Sequence, residues 1–379
     1  MKKARIAYVT ETSPDDKHAW SGTVHYVYKA LQDYGFEVTP LGPQKPLFIQ
    51  FLLATANQVS LFLFKKRFDY RHSTPYSKAF GRIFTKKLEK IPHDIVVVCG
   101  GTEYGAYLNT TRPVYYILDR TIQGSINYHT ILSRLWHFSE QQSVSTDRTA
   151  MRRATKIFFS SEWAASQARN KYLLSAAKIR VLPFGANLDK TPDRETALQP
   201  KNSGRLNLLL IGTYWKNKGA DIAFNALLHL LKNKVNAWLT VVGCQPPDEL
   251  KHERLTIIPF VDKNSETGSR QLWELFLSHH FFILPTRFDC TPIVFCEASS
   301  FSLPVISART GGVEGHVKEG VNGFLIPYED QGPGYAEKIM EIMRDQTAYE
   351  DLRRSTRRYF EEHLNWKVWS EGFANEIAF

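Results

Sequence analysis

Short, nearly continuous apolar runs alternate with longer segments of mixed polarity along the whole chain. In the first half the runs are Arg5–Thr10, Asp94–Cys99, Val114–Leu118, Lys156–Ser160 and Ile179–Leu182. In the second half they are Leu206–Ile211, Trp238–Gly243, Leu255–Phe260, Phe281–Leu284 and Pro304–Ser307. Runs without a polar alternate position suit strands covered on both faces, as in a parallel sheet. The segments between them are long enough for crossover helices. The pattern predicts an α/β protein with two consecutive doubly wound halves. Asn187–Arg205, polar and containing Pro and Gly, is the expected linker. The expected domains are residues 1–190 and 204–361. Open parallel sheets bind ligands beyond the carboxyl ends of their strands, so the loops after the strands are where chemistry is sought, in a cleft that two such halves would share.

Four loops answer that description. Ile211–Gly219 (IGTYWKNKG) links a strand to a helix, and its glycines allow close backbone approach to a ligand. Lys218 there precedes a helix N-terminus, which already attracts anions, so the loop reads as a diphosphate clamp or as an ordinary turn with a surface lysine. In the second loop, Leu284–Ala298, Pro292 suits the first helical position with Thr291 as N-cap. The N–H groups of Ile293 and Val294 would then be free for a phosphate. Glu297, further along that helix, is placed to accept hydrogen bonds from a ribose diol, and Asp289 precedes it by eight residues. Its blander reading is a carboxylate that complements the helix dipole. The third loop, Ala308–Glu314, carries Gly311 and Gly312, and the fourth is Trp20-Ser21-Gly22-Thr23 after the first strand. The first strand is not followed by GxGxxG, and the chain lacks GxxxxGK[ST], GxSxG and HExxH.

Length and composition fit two globular domains: 379 residues, 43% hydrophobic and 23% charged. MKKARIAYVT runs at once into a strand, so no signal peptide is expected. Cys99, Cys244, Cys290 and Cys296 show no CxxC pairing and read as reduced, mostly buried thiols of a cytoplasmic protein, with no structural zinc. The net charge of +10 is uneven: Lys65–Lys90 holds nine Lys/Arg against Asp69 and Glu89. Just before it, Leu47–Phe64 is uncharged and rich in Phe and Leu, but Gln50, Thr55, Asn57, Gln58 and Ser60 argue against a membrane span. A buried helix followed by a solvated basic helix is the expectation. The alternative for residues 47–90 is a surface that meets anionic membrane or a lipid-diphosphate acceptor. No motif accompanies the charge that would favour nucleic acid.

The four loops, in this order, resemble the retaining glycosyltransferases of family 4, the group 1 transferases of the GT-B fold. The likeness covers nearly the whole chain and is carried by ATKIFFSSEWAASQA, KIRVLPFGANLD, GTYWKNKG, DCTPIVFCE and ARTGGVEGHVKEGVNGFLI. It implies two Rossmann-like domains facing a central cleft, with a C-terminal helix, about 362–379, returning to the first. It implies a nucleotide-sugar donor, most often UDP-glucose, a saccharide or lipid-linked acceptor, and no metal or other cofactor. Lys218 would take the diphosphate, Glu297 the ribose, and Asp289, in place of the family's first glutamate, the transferred sugar. Gly22 would face the diphosphate from the opposite domain. Asp119, where many members have a histidine, would join Asp289 and Lys218 as a catalytic residue, or cap the turn after its strand. Thr213 replaces a common arginine, which leaves Lys216 or Arg287 to support Lys218. The expected donor set is Glu297, Gly22, Thr213, Cys290, Thr291, Ile293, Val294, Arg287 and Gly311. A nucleotide-sugar 2-epimerase acting on UDP-GlcNAc, or a non-catalytic sugar-nucleotide-binding partner in a polysaccharide assembly complex, would carry the same loops.

Overall fold

A computed structural model describes residues 4–128, 132–201, 204–248 and 250–377. Asn202 and Ser203 of the expected linker lie outside the described residues, as do Met1–Lys3. The chain divides into two units, Met1–Pro183 with Trp369–Phe379, and Phe184–Val368.

The first unit is built on β1 (Arg5–Val9), β2 (Glu37–Pro40), β3 (Ile95–Cys99), β4 (Val114–Leu118), β5 (Lys156–Phe159) and β6 (Ile179–Val181), all paired parallel in the order β2-β1-β3-β4-β5-β6. The sheet of the second contains β7 (Leu206–Ile211), β8 (Ala237–Val242), β9 (Leu255–Ile258), β10 (Phe281–Leu284), β11 (Val305–Ala308) and β12 (Gly323–Ile326), again parallel, in the order β12-β11-β10-β7-β8-β9. Each apolar run of the sequence is a strand here. The wholly buried β3, IVVVC, shows why: helices cover both faces, so no position may be polar. β2 and β12 were not anticipated. β2 (EVTP) is a half-exposed edge strand with a terminal proline, and β12 opens on a glycine, so neither has a strand-like signature.

Asn187–Arg205 is not a free linker. The boundary falls earlier, after Pro183, because the stretch is tied into the second unit. Asp193 caps the short helix Arg194–Ala197, and the fully buried Arg353 donates to the carbonyls of Ala197 (3.0 Å) and Gln199 (2.8 Å). The returning helix spans Trp366–Glu376, and the boundary falls inside it, so its tryptophans divide. Trp366 stacks on Phe184 in the second unit and donates to Asn187 Oδ1 (3.1 Å). Trp369 stacks on Phe373, whose ring meets Phe36, Tyr115 and Phe158 of the first unit. All four cysteines are buried as thiols.

Three helices of the first unit matter below: α1 (Thr23–Tyr34), α2 (Leu47–Phe64) and α3 (Thr74–Leu88). The expectation of a buried α2 is overturned: among its residues only Ser60 is buried. By length and composition alone α2 is apolar enough to cross a membrane. Two of its polar residues, read from the sequence as interruptions, fasten it inward. Asn57 Oδ1 accepts the Phe68 N–H (2.7 Å), and Ser60 Oγ accepts from Trp136 Nε1 (2.8 Å).

Candidate active site

In the second sheet β7 lies between β8, its successor in the chain, and β10, so the direction of winding reverses between β7 and β10. Crossover helices then leave on opposite faces and a crevice opens beyond the strand ends. The loops after β7 and β10 meet there. Gly219 adopts φ 67° as N-cap of the helix Ala220–Lys232, so close to β10's exit that a Cβ would collide with the Pro285 carbonyl. The Arg287 N–H donates to the Asn217 carbonyl (2.9 Å). Along this seam Lys218 Nζ lies 2.6 Å from Asp289 Oδ2, with little of either side chain exposed. The other carboxylate oxygen of Asp289 accepts the Thr291 N–H (3.2 Å). The Asp289 carbonyl accepts the Gly312 N–H (3.0 Å), which draws in the glycine loop after β11. Two residues 71 positions apart thus form one short, charge-assisted contact, with three loops fixed around it.

Glu297 is buried on the helix Ile293–Ser300, and Lys263 Nζ lies 3.3 Å from its Oε1. Lys263 was not anticipated; it carries no motif and follows β9, whose loop the sequence reading did not treat as functional. Pro292 is the N-cap and Ile293 opens the helix, one residue later than expected. The Ile293 N–H is not free: it donates to the Thr291 carbonyl (2.9 Å), a tight contact that the proline's dihedral angles favour. Val294 therefore offers the outermost helical N–H.

Arg287 has a partner within the protein itself. Its guanidinium makes a fork with Asp221, at 2.8 and 3.0 Å, and Lys216 Nζ also lies 2.8 Å from Asp221. Against the cost of burial, hydrogen bonds from Arg287 and Lys216 hold the Asp221 carboxyl below its ordinary value. Both cations brace the clamp loop, so Lys218 is the cation left beside Asp289. Thr213 and Tyr214 are exposed in the same loop, Cys290 is buried, and Gly311 takes φ 52°. Behind the glycine loop His316 is fully buried and its Nδ1 donates to the Gly312 carbonyl (3.4 Å). Burial pushes this imidazole down to about 4, so it is neutral near pH 7.

In the first sheet the reversal falls between β1 and β3. Trp20 (φ 49°), Ser21 (φ 57°) and Gly22 (φ 91°) run left-handed into α1, and Trp20 Nε1 donates to Asp119 Oδ2 (3.1 Å). Left-handed tryptophan and serine are costly, and a local fold that keeps them is over-determined by such ties. Gly22 and Asp119 therefore belong to one locus. The capping expected at the end of β4 is done by Thr121, whose Oγ1 accepts from Gly124 N–H (3.1 Å).

A buried polar set beside it escaped the sequence reading. Tyr104 donates to Glu11 (3.1 Å), with Arg71 3.9 Å from the same carboxylate. His72 sits between Asp69 (2.8 Å) and Glu103 (3.3 Å). Burial opposes charge on the imidazole, but the two carboxylates prevail and raise it well above its ordinary value. Glu11 and Glu103 follow β1 and β3 closely, which was the available signal.

Residues 205–345, which contain the clamp loop, Asp289, Glu297 and the glycine loop, match the family model described as glycosyl transferases group 1. Over that stretch the chain is similar to the group 1 glycosyltransferases. A Klebsiella pneumoniae relative, an uncharacterized 41.2 kDa protein in the cps region, is 24% identical over 183 residues, 46% of this chain and 48% of its own length. The chain spans about half the length of the curated relatives it matches. Sucrose-phosphate synthase from Thermosynechococcus elongatus matches with a TM-score of 0.70 at 14% identity, over 98% of each chain. Anabaena Alr3699/HepE, solved in complex with UDP-glucose, matches with a TM-score of 0.63 at 16% identity, also over 98% of each. These structural likenesses show the fold alone, GT-B with two Rossmann-like domains. The notable local feature of the matched stretch is Asp289, which Lys218 meets directly.

Proposed function

We propose that the protein is a retaining hexosyltransferase that moves a sugar, glucose in the first instance, from a UDP-sugar to a saccharide or lipid-linked saccharide acceptor during glycoconjugate biosynthesis. The observation that carries this reading is the Lys218–Asp289 contact at the β7/β10 reversal, with the buried Glu297 on the helix that follows. Lys218 and the Val294 N–H would hold the leaving diphosphate, and Glu297, oriented by Lys263, would accept from the ribose. Asp289 would contact the transferred sugar and keep Lys218 in place until the donor arrives. The UDP-glucose bound by the Anabaena protein supports the choice of donor. In this reading Lys218 supplies the charge that a divalent ion would otherwise provide, and no metal is required. The front-face route, with a donor phosphate oxygen taking the acceptor proton, needs no protein nucleophile. Asp119 and the polar set around Glu11 and Tyr104 are the acceptor-side candidates on the first unit.

The test is thermal unfolding with UDP, ADP, GDP and their glucose conjugates, each with and without EDTA. A ligand at a hundred times its Kd stabilises by about 2.7 kcal/mol. The expected result is a shift with UDP and UDP-glucose that survives EDTA and disappears in Glu297→Ala. In turnover, Lys218→Ala should cost ~2–4 kcal/mol in kcat/KM, as for other single electrostatic stabilisers. Retention of more than a third of kcat/KM would remove Lys218 from the mechanism. Conversion of UDP-GlcNAc without an acceptor would favour the epimerase, and tight binding without any turnover the non-catalytic partner.

A further inference from the structure

α2 is amphipathic in the opposite sense to an ordinary surface helix. At helical spacing Ile49, Leu53, Asn57 and Ser60 form the inward stripe: the first two pack on the first unit's core, and the last two make the hydrogen bonds described above. The outward face is mostly apolar, with Phe48 76%, Phe51 70% and Phe62 77% exposed, and Leu47, Val59 and Leu63 more than half exposed; Thr55 and Gln58 are the exposed polar residues on it. Eighteen residues make a helix about 27 Å long, so the exposed Phe and Leu side chains form an apolar ridge along it rather than isolated contacts. An apolar groove of about 510 Å³ runs along it, lined by residues of α2 with Phe68 and Trp136.

Cations follow the ridge in the chain and lie on the helix that α2 contacts. Lys65 and Lys66 end α2, with Lys66 Nζ 4.6 Å above the Trp136 ring. On the adjacent α3, Lys78, Arg82 and Lys86 are exposed at four-residue spacing, which puts them on one face. Among the described residues none of these five has an acidic partner. A second copy of the chain meeting this ridge would bring like charges together. A surface of anionic lipid would meet both features at once, with acyl chains for the ridge and phosphates for the cations.

We propose that α2 is an interfacial anchor: it lies flat in the headgroup region of an anionic bilayer, its Phe and Leu side chains among the acyl chains and the Lys65, Lys66 and α3 cations against lipid phosphates. It does not span, because the inward stripe holds it along the first unit. The inference stands apart from the transferase reading, and brings the protein to the surface where a lipid-linked acceptor resides.

The experiment is sedimentation of the full chain with phosphatidylcholine vesicles, with and without phosphatidylglycerol, across a salt series. Binding is expected with phosphatidylglycerol and should weaken as salt screens the cations. The triple variant Phe48→Ser/Phe51→Ser/Phe62→Ser should bind about tenfold less or weaker still, since these side chains supply the apolar contact. Replacing Lys65, Lys78 and Arg82 by Gln should abolish the preference for the anionic lipid. As a readout on the unaltered chain, hydrogen–deuterium exchange with vesicles should protect 47–64 and its flanks. Unchanged binding by the triple variant, or vesicle protection confined elsewhere, overturns the proposal. So does a dimer in sedimentation equilibrium that the triple variant converts to monomer. The UDP thermal shift, measured on the same variants, is expected to be unaffected; its absence in the unaltered chain would count against the transferase reading and leave this one standing.

Discussion

The contact between Lys218 and Asp289 has two roles, and its energetics follow from its setting. Asp289 is buried but 24% of the Lys218 side chain stays exposed, and solvent at the ammonium screens the pair, so it alone contributes little to stability. Its value is in position: an ammonium held 2.6 Å from a carboxylate is ready to exchange part of that contact for a diphosphate. Asp289→Asn should therefore leave stability nearly unchanged while lowering kcat/KM. The double variant Lys218→Met/Asp289→Asn should fall well short of the sum of the single losses, with a coupling of roughly 0.5–3 kcal/mol in the kinetic cycle. Additive losses would show that the two act separately. Cys244 is a neighbour with no such role. Its thiol donates to the Gly212 carbonyl (3.1 Å), and burial pushes it up to about 11, so it is protonated and unreactive near neutrality.

At the scale of elements, the first sheet is braced by charge as well as by apolar packing. His72, in the short turn just before α3, is held as an imidazolium by Asp69 and Glu103, against the cost of burial. Because its folded-state value is raised, its contribution is complete below the ordinary histidine value of about 6.5 and is lost as pH rises through the folded value. His72→Gln should destabilise the first unit by about 3–5 kcal/mol at pH 6, the loss expected when one partner of a buried pair is removed. The gap between the variant and the unaltered chain should narrow in alkaline urea titrations. A gap independent of pH would mean that the imidazole is neutral in the fold. The three left-handed residues before α1 are a second such device. The motif Trp20-Ser21-Gly22 was readable as a turn, but its tie to Asp119 joins positions 99 apart and left no local trace.

For the molecule as a whole, two units with separate apolar cores predict two cooperative transitions in calorimetry. The proposed donor site lies on loops of the second unit, so UDP should raise one transition and leave the other in place. Lys218→Ala and Glu297→Ala should each reduce that shift, and α2 substitutions should not. A nucleotide that moved both transitions equally would place the binding energy elsewhere. The net charge of +10 also acts at this scale, and its concentration on residues 65–90 gives the first unit a basic face that the second does not share.

Local composition determined most of the architecture. A strand buried on both faces has no tolerance for polar positions, so runs such as Ile95–Cys99 and Leu206–Ile211 announced themselves, and with them the strand ends and their loops. Edge strands have no such constraint, and β2 and β12 stayed hidden. The motif loops named Lys218, Asp289 and Glu297 one at a time. Only the tertiary structure decided who meets whom: that Asp221 pairs with Arg287; that Lys263 stands beside Glu297; and that Glu11, His72 and Glu103 gather at one reversal point. It also decided which way α2 faces. Composition counts apolar residues but cannot orient them, and a few polar side chains that find partners inside can turn an apolar helix toward the outside. Pairings between residues distant in the chain are set by sheet order and crossover, which no local stretch of sequence encodes by itself.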